Sequence, residues 1–200
     1  MDILDQNFFK IETNNVKPAQ GKVLISEPFL EDGIFYRSVV LLTRYSPEDG
    51  AMGFVLNKLL PKKYYPKEIE KEFPNIELSL AYGGPVEMEK MFYIHNLSEK
   101  KLPFSIEIMP GLYWGGDFNV LKRKINEGEI SPSQVRFFVG YSGWAPKQLE
   151  NELANNSWIV GNITPEEVLN PDENLWRKIL NKFNLKYRIW ATYPEKPFLN

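Results

Sequence analysis

The chain contains no cysteine, a single histidine and almost no net charge. Without cysteine there is no disulfide framework, no thiolate metal site and no cysteine nucleophile. One histidine excludes the multi-histidine zinc sites. Lysines and arginines number 24 against 26 aspartates and glutamates, a formal charge of -2. That balance lacks the basic excess by which nucleic-acid-binding domains are usually recognised. No apolar run reaches the ~20 residues of a membrane helix, so no membrane partner is expected. The first residues, Met1-Asp2-Ile3-Leu4-Asp5, lack the basic start and apolar run of a secretory signal. A cytoplasmic location is the expectation.

What is present is ordinary for a globular domain. Of 200 residues, 43% are hydrophobic and 25% charged, close to the averages for soluble domains. A chain of this length buries roughly 70% of its unfolded surface. Residues 1–20 read as a polar N-terminal arm, with a helical turn near Phe8 and Phe9. Residues 21–200 read as a single compact domain. Gly21–Ser26 is a strand, and Ser38–Thr43 is β-branched and apolar at consecutive positions, the pattern of a strand buried on both faces. Ser46-Pro47-Glu48-Asp49-Gly50 supplies a turn. Gly53–Asn57 is the antiparallel neighbour across it. Met91–His95, Ser105–Met109, Gly111–Trp114, Val135–Tyr141 and Trp158–Val160 complete the expected strands.

Helices are fewer and cluster late. Asp117 is placed to cap a helix over Phe118–Asn126 that stops at Gly128. Glu68–Phe73 is a short charged helix. Ser142-Gly143-Trp144-Ala145 reads as a strand-to-helix turn into a helix from Pro146 to Ala154. Thr164-Pro165-Glu166-Glu167 is a capping box, and Asn170-Pro171-Asp172-Glu173 repeats the pattern before a helix that presents Leu175, Trp176, Ile179, Leu180 and Phe183 on one face. The segment from Tyr187 to Asn200 is aromatic and proline-rich and is expected to lie over the surface. Strands first and helices interspersed later indicate α+β with mixed or antiparallel β-structure, not a doubly wound sheet.

Candidate chemistry is sparse. If the Ser38 and Gly53 strands pair, Arg37 and Asn57 fall at one end of the pair, where a guanidinium and an amide can grip a carboxylate or phosphate. Internal pairing of Arg37 with Glu27 or another acid is the alternative. Gly83 and Gly84 can offer backbone N–H groups to an anion or form only a tight turn. Gly115-Gly116 is poorer, because Asp117 follows it. His95 ends an apolar strand and reads as a packed, hydrogen-bonded histidine more readily than as a general base. Ser142, in Gly-Tyr-Ser-Gly-Trp, fails as a nucleophile elbow, because Trp144 fills a position that must be small. No catalytic residue, cofactor or metal site is assigned. Glu87 and Glu89 have no spacing that demands magnesium. The aromatics Tyr82, Trp114, Tyr141 and Trp144 are surplus to a minimal core and can line a groove. Lys62–Lys67 interleaves lysine with tyrosine, as single-strand binders do, but Glu68, Glu70 and Glu72 dilute its field. Lys122-Arg123-Lys124 reads as the wet face of its helix.

Six segments, taken in order, carry a resemblance. They are Gly21–Pro28, Phe35–Leu42, Gly53–Lys58, Tyr82–Val86, Gly115–Asp117 and Gly140–Trp144 with Gln148-Leu149-Glu150. Over about Gly21 to Trp158 the chain resembles the YqgE/AlgH family of bacterial proteins. The resemblance implies a small closed or bifurcated β-structure wrapped by helices. It implies no established reaction, although a transcriptional-regulator label is attached to some members. The family commonly has Ala where Ser142 stands, which further argues against a nucleophile there. Lys62–Lys67 lies outside the family's common core. Three functions follow as expectations: a non-enzymatic binding or regulatory module with a protein partner, a nucleic-acid-binding regulator, and a hydrolase or phosphoryl-handling enzyme using Arg37 and His95. The candidate ligand-binding residues are Arg37, Asn57, Gly83, Gly84, His95, Tyr141 and Trp144.

Overall fold

Consecutive apolar residues make strands that are dry on both sides, and such strands determine the layering. The structure, a computed structural model, describes residues 10–11, 16–30, 33–60, 80–170, 172 and 174–194. Its strands are β1 (Val23–Ser26), β2 (Val39–Ser46), β3 (Gly50–Val55), β4 (Leu80–Tyr82), β5 (Val86–His95), β6 (Ser105–Met109), β7 (Leu112–Gly115), β8 (Val135–Trp144) and β9 (Trp158–Gly161). Its helices are α1 (Phe118–Asn126), α2 (Gln148–Ala154), α3 (Pro165–Leu169), α4 (Leu175–Leu180) and α5 (Leu185–Thr192). Alternate residues of β1 to β3 enter different cores. Val23, Ile25, Val39, Leu41 and Phe54 face a central core. Leu24, Val40, Leu42 and Val55 face a second one, covered by Leu149 of α2. A third lies between β8 and α1, around Phe137, Val139, Leu121 and Ile125.

The sheet order is β6-β7-β5-β8-β3-β2-β1-β9, with β4 attached to β8. All pairs are antiparallel except β4 with β8, which is parallel, so the sheet is mixed. The branch point is β8. Its first half pairs with β4 and β5, and its last residues, Ser142–Trp144, pair with Gly53–Ala51 of β3. This is the bifurcated β-structure expected. The sheet also curls, so that β6 approaches the residues leading into β1. There the Gln20 side-chain amide donates to the Glu107 carbonyl at 2.8 Å. The whole is an α+β single domain, as the order of elements implies.

Local chemistry accounts for the helix starts. The Asp117 carboxylate accepts from Asn119 N (2.9 Å) and Val120 N (3.1 Å), capping α1 at the expected residue. The Thr164–Glu167 capping box is complete at α3. Four expectations need correction. Ser142, Gly143 and Trp144 do not turn the chain into a helix but prolong β8, because β3 offers them partners; α2 begins only at Gln148, after Lys147 takes a left-handed φ of 63°. Asn170 does not open α4. It closes α3, and α4 starts at Leu175, leaving Phe183 beyond the helix end. From Tyr187 to Pro194 the segment is not confined to the surface, since α5 drives Tyr187, Trp190 and Ala191 into the central core; residues 195–200 lie outside the described residues. Lys122 is not on the wet face of α1: it is 9% exposed, with its ammonium 5.2 Å from the Phe118 ring centre. The turn near Phe8, the helix at Glu68–Phe73 and the basic segment Lys62–Lys67 lie outside the described residues. Among the described residues no helix is long and apolar enough to cross a membrane.

Candidate functional site

Arg37 and Asn57 do come together. The Asn57 amide donates to the Arg37 carbonyl (2.8 Å) and its oxygen accepts from Val39 N (2.9 Å), so Asn57 ties β3 to the start of β2. Both line a cavity of about 180 Å³ with Trp176 and Arg177. The Arg37 guanidinium bonds internally, as the alternative reading has it, but to carbonyls instead of an acid. Its Nη2 donates to Tyr193 O (2.9 Å) and Pro194 O (2.7 Å), and it lies 5.0 Å from the Trp176 ring centre. Arg177 donates to Ala191 O (2.6 Å) and Tyr193 O (3.2 Å). Two cations thus sit at the C-terminal end of α5, on Ala191 O within the helix and on the carbonyls of Tyr193 and Pro194 just past it, the end where the helix dipole favours positive charge.

Gly83 and Gly84 lie where β4 leaves β8, and the Gly83 backbone is committed. Gly83 N donates to Val139 O (2.8 Å), and Gly83 O accepts from Val55 N (2.9 Å) and from the Ser142 hydroxyl (3.0 Å). A side chain on Gly84 would meet the Tyr141 carbonyl at 2.3 Å. Close backbone approach, not a turn alone, is what requires glycine here. Ser142 is fully buried.

His95 is fully buried too. Its Nδ1 accepts from Leu97 N (3.2 Å), so Nε2 carries the proton and donates to Gly115 O (2.9 Å). Ser105 Oγ lies 3.2 Å from the same Nε2, while its own proton goes to Leu102 O at 2.7 Å. A protonated Nε2 cannot take a proton from Ser105, so this neighbouring pair, invisible in the sequence, is not a nucleophile and base. Burial holds the imidazole below the usual histidine range. His95 lines none of the described cavities, and the Arg37 cavity does not include it. Among the described residues, no three His, Asp or Glu side chains are grouped to hold a metal ion.

Two larger cavities use the surplus aromatics. One, of about 400 Å³, is lined by Phe35, Trp144, Glu152 and Trp158. Glu152 Oε2 accepts both indole N–H groups, from Trp144 at 2.8 Å and Trp158 at 2.7 Å. Tyr141 does not join Trp144 there but packs edge-on against Phe92, 5.6 Å away. The other cavity, of about 430 Å³, is lined by Met91, Phe92, Tyr93, Trp114 and Phe118, with Gly115 and Gly116 at one end. It exists because β5 and β7 separate. They pair only at Ile94 and His95, after which Gly115 and Gly116 take positive φ and lead β7 away. On the other side β5 bulges, since the five-residue step from Val86 to Met91 opposes the two-residue step from Tyr141 to Val139. Among the described residues no strand occupies the β7 side of β5 from Met91 to Tyr93. The Tyr93 hydroxyl, its pKa raised by burial, donates to Gly116 O at 2.7 Å and braces the corner.

Sequence reasoning passed over Met91, Phe92, Phe118, Glu152 and Trp158. The Trp114-Gly115-Gly116 break was a legible signal for the cavity beside β5. Gln148 and Glu152, one turn apart on α2, were a weaker one for the cavity beside α2. It also missed Arg136, a buried guanidinium that donates to Val168 O (2.7 Å) and Leu56 O. Burial pushes it down to about 9, so it remains a cation at neutral pH.

The AlgH-like family model matches residues 23–188. A UPF0301 protein of Bacteroides thetaiotaomicron is 43% identical over 199 residues, covering 98% of this chain and 99% of that one. Another, from Parabacteroides distasonis, is 45% identical and covers 98% of each. Among solved structures, a Corynebacterium diphtheriae protein superposes with a TM-score of 0.73 at 23% identity, covering 96% of this chain and 100% of its own. The solution structure of the AlgH protein from Pseudomonas aeruginosa gives 0.64 at 25% identity, covering 82% and 89%.

Proposed function

The chain belongs to the AlgH-like family, and on that premise we propose that it is a non-enzymatic binding module whose partner is an extended protein segment laid along the open edge of β5. The observation that carries this reading is the cavity of about 430 Å³ at that edge. An unpaired strand edge offers main-chain donors and acceptors to an added strand, and an adjoining apolar pocket selects one side chain. Met91, Phe92, Trp114 and Phe118 give the pocket its apolar wall, which suits a bulky aliphatic or aromatic side chain. The hydrogen bonding of His95 and Ser142 supports a role without chemistry, because neither is available as base or nucleophile. Direct nucleic-acid binding has no comparable support.

Affinity capture of the tagged chain at native abundance, with and without nuclease, tests the reading. The Met91→Lys variant, checked for native circular dichroism, is run beside it. A protein partner that survives nuclease and is lost with Met91→Lys is the expected result. Nucleic acid as the retained species, or a partner indifferent to Met91→Lys, would overturn it.

A further inference from the structure

The cavity between β8, α2 and β9 has a composition of its own. Its wall includes Phe35, Trp144 and Trp158, and Glu152 is the one charged group among its described lining residues. The three rings lie at 5.5 to 6.3 Å from one another. Trp144 and Trp158 meet edge to face at 78°. Glu152 Oε2 receives the two indole N–H groups, and Oε1 receives the Gln148 amide at 2.9 Å. All three donors are neutral. They fix the carboxylate in place without cancelling its charge, and among the described residues no lysine or arginine forms an ion pair with it. Lys147, next to the start of α2, is exposed and does not line the cavity.

We propose that this cavity is a binding site for an alkylammonium group. The walls are aromatic, and their faces carry negative quadrupole potential. The fixed anion adds a full charge of the same sign. A cation on an apolar stem is therefore attracted by both. An anion is repelled, and a neutral molecule gains only from burial. The volume, about 400 Å³, is within the range of small-ligand sites. Among the described residues Oε1 has one donor, the Gln148 amide, and so retains a lone pair for an ammonium N–H. The site shares no lining residue with the cavity at the β5 edge and does not depend on the reading given above.

The test uses the full chain and three probes of one size: n-butylammonium, 1-butanol and butyrate. Two-dimensional NMR follows the indole N–H signals of Trp144 and Trp158. The expected result is a saturable shift of both signals with n-butylammonium, at a Kd about tenfold below that for 1-butanol, with butyrate silent. Glu152→Gln keeps an acceptor for the indoles and removes the charge. It should weaken n-butylammonium about tenfold and leave 1-butanol unchanged. If Glu152→Gln unfolds, Phe35→Leu, which keeps the charge and removes one aromatic face, should also weaken the ammonium selectively. Equal affinity for n-butylammonium and 1-butanol, undiminished binding in both variants, or no shift of either indole signal would overturn the assignment.

Discussion

Replacing Gly83 by alanine tests whether the Gly83-Gly84 pair serves close packing or an anion site. The added Cβ would sit 2.2 Å from Gly140 O, 2.9 Å from Phe54 Cδ1 and 3.1 Å from Phe138 Cβ. The first contact is with backbone, so the gap must open from 2.2 Å to at least 3.0 Å by moving β4 off β8. That motion strains three bonds at once: Gly83 N to Val139 O, Val55 N to Gly83 O, and the Ser142 hydroxyl to Gly83 O. At about 1 kcal/mol net for each bond, and about 1–3 kcal/mol for overpacking, the loss is about 4–6 kcal/mol. Native stabilities are about 5–15 kcal/mol, so the variant should lose from about a quarter of its stability to all of it. Urea unfolding followed by tryptophan fluorescence measures it. With a slope of about 2 kcal/mol per molar, the midpoint should fall by about 2–3 M. Gly111→Ala is the control: it has positive φ (79°) but nothing within 4 Å, so only backbone strain of about 1–2 kcal/mol applies. A Gly83→Ala loss no larger than that of Gly111→Ala would refute the close-approach argument and return the pair to the anion reading.

Two further outcomes follow from buried polar groups. His95 titrates below its ordinary value because it is buried; as pH falls below the unfolded value of about 6.5, the unfolded chain takes up a proton that the native one refuses. Stability should therefore drop with falling pH across the window from 6.5 down to the native pKa, and the difference between wild type and His95→Gln should shrink between pH 7.5 and 5; a constant difference across that range would contradict the sign. Arg37→Gln removes the bonds to Tyr193 O and Pro194 O, each about 1.5–3 kcal/mol for a charged donor, and should raise amide exchange in α5 well before the central strands; unchanged protection of α5 would show that the arginines do not hold it.

Much of the fold was legible because it is decided locally. The consecutive apolar residues of Val39–Leu42 have no wet face to offer, so their strand must be interior. Asp117 and Thr164 cap helices through amides two or three residues away. The α+β order and the glycine breaks needed no long-range information. The candidate sites were only half legible. Arg37 and Asn57 were placed together because one hairpin joins them, and Trp144 was recognised as surplus. Glu152, Trp158 and Phe35 could not be assigned to it, since their convergence depends on α2 packing beside β9.

What the sequence determined by itself is most of the strands, the caps at Asp117 and Thr164, and the dryness of the central strands, because these depend on residues within one turn or one hairpin of each other. Only the tertiary structure decided that Ser142–Trp144 would extend β8, because β3, some ninety residues earlier in the chain, supplies the ladder. It alone carried Trp190 into the core and brought the carbonyl of Tyr193 to Arg37 across 156 residues. Among the described residues it also left the β7 side of β5 from Met91 to Tyr93 without a strand, an outcome of where β7 departs. Periodicity reports which face of an element is apolar. Which distant surface covers that face depends on the pairing of the whole sheet.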